Sequence, residues 1–445
     1  MSSALPPGPA WPTALQTLIW IRRPIPFMRY CRARYGSTFA LRIAGLGTVV
    51  LLSDPDSIKK VFTGSAEHLR AGEVNAVLEP IVGTNSVLLL DGARHLRHRR
   101  LLLPPFHGER MKLYAEQMRE VTERSLARWP RDEPFPLRPY TQDITLEIIL
   151  RTVFGVDQEH EVSELRGRLE RLLTIADSPL AVIGLIPALR RDLPLSPWGR
   201  FLRDRARADE EIYAVIERRR RAGIEGRDDI LSMLLDAVDE DGAHLDDAEL
   251  RDELMTLLVA GHETTATALC WAFERILATP RVLARLLGEV GEAGEDFSPE
   301  RLARMPYLDA TIHEALRLRP VIPLVGRRLH APLGLAHFEI PEGWVVSPSI
   351  YLTHMNPTLY ERPEEFRPER FLDKRIDPYA WLPFGGGVRR CLGMAFALFE
   401  MKVVMATILS RQRLSLAQRA PVATVRRAIT FSPRGGTRVR ATPVR

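Results

Sequence analysis

Phe384-Gly385-Gly386-Gly387-Val388-Arg389-Arg390-Cys391-Leu392-Gly393 is the stretch on which the reading of this chain turns. Three successive glycines let a backbone take torsions closed to other residues and come close to a flat partner that side chains would hold off. The apolar run after Cys391, to about Leu409, reads as a helix. A thiol at a helix start meets free amides and the positive end of the dipole, which favour thiolate, and Arg389 and Arg390 add positive charge. Taken alone, a cysteine beside a glycine turn reads first as a buried structural thiol.

The 445 residues are 45% hydrophobic and 27% charged, and the 34 prolines are scattered, as in a globular chain. One folded domain over 1–445 is expected, with 1–25 as an extended lead-in. Basic residues exceed acidic ones, 62 to 56, with arginine runs at Arg97 to Arg100 and Arg218 to Arg221. Such runs read as solvated helix faces, or as a basic surface for anionic lipid or an acidic protein; no zinc-finger spacing or aromatic-interleaved basic motif points to nucleic acid. Three cysteines, Cys31, Cys270 and Cys391, are too few and too dispersed for a disulfide framework or structural zinc, which suits a reducing, cytoplasmic setting. The apolar stretch Thr17 to Ile21 is too short to span a bilayer, so no transmembrane anchor is expected. Weak membrane contact through Trp11 and Trp20 stays open.

Alternation at Phe39 to Ile43 and Thr48 to Leu52 predicts a β-hairpin. Helical spacing runs through Met111 to Trp129, Asp143 to Phe154, Leu165 to Ile175, Trp198 to Arg220 and Asp309 to Arg319, and Val321 to Ile350 reads as β-rich. The longest helix starts at Asp246 or Asp247, with early acids Glu249 and Asp252, and runs without proline to Ala278. Its middle, Leu254 to Ala268, is mostly apolar or small and should be buried. The fold class is therefore mainly α with a smaller β region.

Three further motifs lie far from the cysteine. Glu314-Ala315-Leu316-Arg317 sets an acid and a base three apart on one helix face. Arg367-Pro368-Glu369-Arg370-Phe371 follows it. Ala260-Gly261-His262-Glu263-Thr264-Thr265 lies inside the long helix, where Gly261 weakens the helix and a Thr264 hydroxyl bonds back to a carbonyl, so that the backbone bends and holds water.

These strings together resemble the cytochrome P450 superfamily, of the soluble, bacterial, ferredoxin-dependent type, over roughly residues 30 to 440; the ten-residue string matches the family's haem signature at every defined position. The resemblance implies a single P450 fold with haem b between the long helix and the cysteine loop, and Cys391 as axial ligand to iron. A thiolate is the ligand that pushes electron density toward O–O cleavage. It implies further that Phe384, Gly385, Gly393 and Ala260 border the haem, that Arg389, His95, Arg99 and Arg327 contact its propionates, and that Glu314, Arg317 and Arg370 form a buried structural network. Many family members carry tryptophan where this chain has His95. Glu263 and Thr264 are assigned to relaying protons toward dioxygen.

Family pocket positions fall on Val259, Ala260, Ile322, Leu324, Ile429 and Thr430, with the loop Val74 to Leu90 above the haem. Mostly apolar, they suit a lipophilic substrate (fatty acid, terpenoid, steroid or polyketide), or equally an ordinary core. No flavin or ferredoxin region occurs in the chain, so electrons are expected from a separate acidic ferredoxin and its NAD(P)H-dependent reductase, with Arg390 and Arg100 as docking residues on a monomer. A peroxide-using haem-thiolate enzyme and a non-catalytic haem or small-molecule binder remain as alternatives.

Overall fold

Asp246 accepts a hydrogen bond from the Glu249 amide at 2.7 Å, and the Glu249 carboxylate accepts one from the Asp246 amide at 3.1 Å. This capping box starts the long helix, Asp247–Leu277, whose 31 residues rise about 46 Å. In this computed structural model residues 4–106, 110–156, 165–167, 169, 192–193, 196–294, 297–372 and 376–444 are described. Helices dominate. The expected segments are found as Arg110–Leu126, Arg138–Thr152, Pro197–Ala222, Pro306–Leu318 and Met394–Arg411, most within a few residues of their sequence bounds. Leu165 to Ile175 lies largely outside the described residues. The lead-in expected to be extended is helical over Thr13–Arg22, because Gln16 inside that turn finds buried backbone partners.

Contacts group the chain into two compact units. The first comprises Met1–Ala76, Leu88–Leu96 and His313–Cys391. Its sheet contains the expected hairpin: Thr38–Ile43 pairs antiparallel with Gly47–Leu52, with Thr38 opposite Leu52. Gly47–Leu52 pairs in parallel with Val345–Pro348, followed by Arg327–Leu329 and Leu69–Arg70, both antiparallel. The β-rich reading of Val321 to Ile350 is thereby met. Val50, Leu52, Ile58, Val61, Phe62, Leu329, Val346, Ile350 and Leu382 form this unit's core, and Leu382 ties the cysteine loop to it.

The second unit comprises Val77–Val87, Arg97–Ile312 and Leu392–Arg445. The helix Arg138–Thr152 lies against the long helix, burying Ile144, Leu146, Ile148, Ile149 and Leu150. The two pack tightly at Gly261: a Cβ there would meet the Ile149 Cδ1 at 2.8 Å. The helix runs unbroken through Gly261, and the missing side chain there also serves interhelical packing. Met394–Arg411 is apolar around most of its circumference and buried, with Phe396 edge-on to Phe106 and Tyr114. A three-stranded sheet orders Phe135–Pro136, Arg438–Pro443 and Gln412–Leu416 side by side.

Candidate active site

The cysteine loop is shaped by its glycines. Gly385 and Gly387 have φ of +68° and +64°, and a Cβ on Gly387 would lie 2.0 Å from the Phe62 carbonyl oxygen. A Cβ on Gly386 would strike the Phe62 ring at 2.3 Å. The loop is closed by the Cys391 amide donating to the Phe384 carbonyl at 3.0 Å, which leaves Cys391 exposed. Phe384 stands edge-on to Trp381, with ring centroids 5.9 Å apart. Cys391 does not sit in the first helical turn, as the sequence suggested: the helix begins at Met394 with Gly393 as its cap, so Cys391 precedes it by three residues.

Arg389 does not stand alone. It donates to the Leu90 carbonyl and pairs with Asp91, whose carboxylate also accepts from the Ala71 and Gly72 amides at 3.0 Å each. Asp91 carries no motif, and its part was hidden from the sequence. Arg327 is buried; its Nη1 donates to the Gly326 carbonyl at 2.8 Å, and no carboxylate of the described residues pairs with it. Burial and the neighbouring Arg389 charge pull its guanidinium down to about 10, partly offset by Asp91. An anionic group fits such a buried cation, as the propionates of haem would. His95 is also buried, and Arg99 follows one turn later on the helix Gly92–Leu102.

The Glu-x-x-Arg motif forms the expected network. Arg317 pairs bidentately with Glu314 at 2.6 and 2.8 Å, both side chains fully buried, and Arg370 reaches Glu314 at 3.4 Å. The Arg367 amide also donates to Glu314, at 2.8 Å, and Arg317 stacks over the Tyr360 ring. One member escaped the sequence reading: His354 Nδ1 donates to the Arg317 carbonyl at 2.9 Å, while its Nε2 accepts from the Leu382 amide at 2.9 Å. That imidazole links the ion pair to the root of the cysteine loop.

In the second unit the middle of the long helix opens. Ala260 is exposed and Val259, Glu263 and Thr264 are half-buried, whereas Leu254 to Thr256 and Thr265 to Glu274 are buried. Thr264 Oγ1 donates to the Ala260 carbonyl, as expected. Glu263 is clamped by Arg138 at 2.7 Å, Gln142 at 2.8 Å and Thr267 at 3.1 Å. Arg138 and Gln142 lie more than a hundred residues away, and nothing near Glu263 announces them. The loop expected above the haem is tied down in part: the Asn85 and Val87 amides donate to Asp252 and Glu253 at 2.8 Å each, and Thr256 bonds the Ser86 hydroxyl at 2.7 Å. Both ring nitrogens of His98 face carboxylates, Glu253 at 2.7 Å and Glu249 at 3.1 Å, and burial pushes the Glu253 carboxyl up to about 7 against the pull of His98.

The pocket positions are of mixed exposure. Ile322 and Leu324 are half-buried, Ile429 is exposed on the turn of the hairpin Thr424–Arg427/Thr430–Pro433, and Thr430 is buried with its hydroxyl on the Arg427 carbonyl at 2.9 Å.

The buried Arg327 suits an anion and the exposed Cys391 offers a sulfur, two groups that a haem-thiolate site requires. The family described as Cytochrome P450 matches residues 6–436. Cytochrome P450 135B1 of Mycobacterium tuberculosis H37Rv, a name that specifies no substrate, is 40% identical over 448 residues, which cover 100% of this chain and 93% of the relative. Among solved structures, retinoic acid bound cyanobacterial CYP120A1 is 27% identical with a TM-score of 0.86, covering 100% of both chains. The cytochrome P450DA heme domain is 25% identical with a TM-score of 0.87, covering 99% of this chain and 98% of that one. The chain belongs to the cytochrome P450 family, whose members hold haem b through a cysteine thiolate and act as monooxygenases. No helix among the described residues is long and apolar enough to cross a membrane.

Proposed function

We propose that Cys391 is the thiolate that holds the iron, that His95, Arg99, Arg327 and Arg389 hold the propionates, and that Phe384, Gly385, Gly393 and Ala260 border the ring. When bound, the haem supplies activation of dioxygen, one atom of which enters a C–H or C=C bond of the substrate. Glu263 and Thr264 deliver the protons this needs. The Thr264 hydroxyl hydrogen is directed at the Ala260 carbonyl, which leaves the oxygen to accept a bond from water at the exposed stretch. Glu263, kept in place by Arg138 and Gln142, is the carboxylate that passes the proton on.

The observation that carries this reading is the opening at Ala260 and Thr264 within an otherwise buried helix. A buried helix with an ordinary polar face has no packing reason to expose a small apolar residue at its centre. The substrate is a lipophilic molecule, fatty acid, terpenoid, steroid or polyketide, because Val259, Ala260, Ile322, Leu324 and Ile429 bring no charge to it. The retinoic acid of the cyanobacterial neighbour is of the same lipophilic class. Electrons come from a separate acidic ferredoxin and its reductase, which meet the exposed Arg390 next to Cys391.

The test uses the haem-loaded protein and two variants. Native protein and Thr264→Ala should show the strongly red-shifted carbon monoxide band of thiolate ligation, and Cys391→Ala should lose it. With substrate and redox partners, Thr264→Ala should turn most consumed oxygen into hydrogen peroxide, a change on the order of tenfold in coupling. A thiolate band in Cys391→Ala, or unchanged coupling in Thr264→Ala, overturns the corresponding assignment.

A further inference from the structure

The helix Thr13–Arg22 is built inside out. Its polar Gln16 is fully buried, donating to the Pro9 and Trp11 carbonyls at 3.1 and 2.7 Å and accepting from the Arg42 amide at 2.9 Å. Thr17 faces inward as well, accepting from the Ala44 amide at 3.0 Å. Three of its apolar residues take the outer side: Leu15, Leu18 and Ile21, at helical spacing, are 43%, 46% and 46% exposed, while Ile19 and Trp20 are half-buried. One exposed leucine needs no explanation, but a row of them on a helix whose polar side is turned into the protein does. Leu5 and Tyr30 add exposed apolar surface to the same segment of chain.

Charge is gathered there too. Residues 1–53 contain no Asp or Glu and six arginines, Arg22, Arg23, Arg29, Arg32, Arg34 and Arg42. Since the chain has 62 basic and 56 acidic residues, this stretch holds its whole positive excess. Arg22 and Arg23 are exposed directly after Ile21, whereas Arg29 is paired with Glu364 at 2.6 Å.

We propose that this face rests on an anionic lipid surface, with Leu15, Leu18 and Ile21 entering the boundary between headgroups and acyl chains and Arg22 and Arg23 among the lipid phosphates. Apolar area and basic charge on one short helix are the two contributions that hold a protein at such an interface. Ten residues rise only about 15 Å, so the helix lies in the surface and does not cross it. A second copy is a poor occupant, because pairing would bring two acid-free, arginine-bearing segments together. Trp11 is engaged within the protein, stacked on Phe27 and Tyr30 at 6.0 and 5.7 Å.

The full-length haem-loaded protein is floated with vesicles of phosphatidylcholine alone and of equal parts phosphatidylcholine and phosphatidylglycerol. Binding to the mixed vesicles should exceed binding to the neutral ones by about tenfold and weaken in high salt. Leu15→Ser with Leu18→Ser should reduce it about tenfold. Arg22→Gln with Arg23→Gln should abolish the preference for anionic lipid, both variants keeping the native carbon monoxide spectrum. No flotation, equal binding to both vesicles, or undiminished binding of the serine variant overturns the proposal. So does self-association that the serine variant abolishes, which would give this face to a second copy.

Discussion

His354 shows what a single buried residue does for the cysteine loop. With Nδ1 donating to the Arg317 carbonyl and Nε2 accepting from the Leu382 amide, both bonds require the neutral ring. Burial first, and the Arg317 charge second, push the imidazole down to about 3. The folded value lies below the unfolded one of about 6.5, so the contribution to stability is complete above pH 6.5 and is lost as pH falls toward 3. At pH 5 this amounts to about 2 kcal/mol. Urea unfolding of the native protein at pH 7.5 and pH 5 should show that loss. His354→Gln, already about 2 kcal/mol weaker at pH 7.5, should show little further change between the two; parallel losses in both proteins would mean that His354 does not govern the acid limb. The Glu314–Arg317 pair was legible because its members are three apart on one helix. His354 was not, since only the tertiary fold brings it to Arg317.

At the level of elements, the glycine string needs glycine for two different reasons. Gly385 has a positive φ with nothing within 4 Å of its missing Cβ, whereas Gly387 has a positive φ and also abuts the Phe62 carbonyl. Gly385→Ala should therefore cost about 1 kcal/mol, from the torsion alone. Gly387→Ala should cost about 3 kcal/mol or more and weaken haem retention, because backbone has to move. Denaturation midpoints and haem content of the two variants check this, and equal losses would remove the helix Pro55–Thr63 from the account. The long helix was readable from its N-cap acids, its lack of proline and its apolar middle. The packing role of Gly261 was hidden, because the sequence shows a glycine's absent side chain but not that Ile149 occupies the space.

At the scale of the whole molecule, charge distribution decides how the protein meets its partners. The two arginines expected to receive an acidic electron donor differ: Arg100 pairs with Glu240 at 2.5 Å, while Arg390 is exposed next to Cys391. Arg390→Glu should slow reduction by an acidic ferredoxin about tenfold at low ionic strength, and the difference should fade in high salt. Arg100→Glu should have a smaller effect. Stopped-flow reduction over a salt series measures both, and an Arg100 effect as large as that of Arg390 would move the docking surface.

The sequence by itself determined the family, the mainly helical class, the cysteine loop and the Glu314–Arg317 pair. Each of these is a local string, carried by a few neighbouring residues or by helical periodicity. The tertiary structure decided the partners: Asp91 for Arg389, Arg138 and Gln142 for Glu263, His354 for Arg317, and the Arg42 amide for Gln16, whose inward turn leaves leucines outside. Those pairings join residues distant in the chain, and a hydrogen bond or ion pair is fixed by distance and burial, which separation along a sequence does not record.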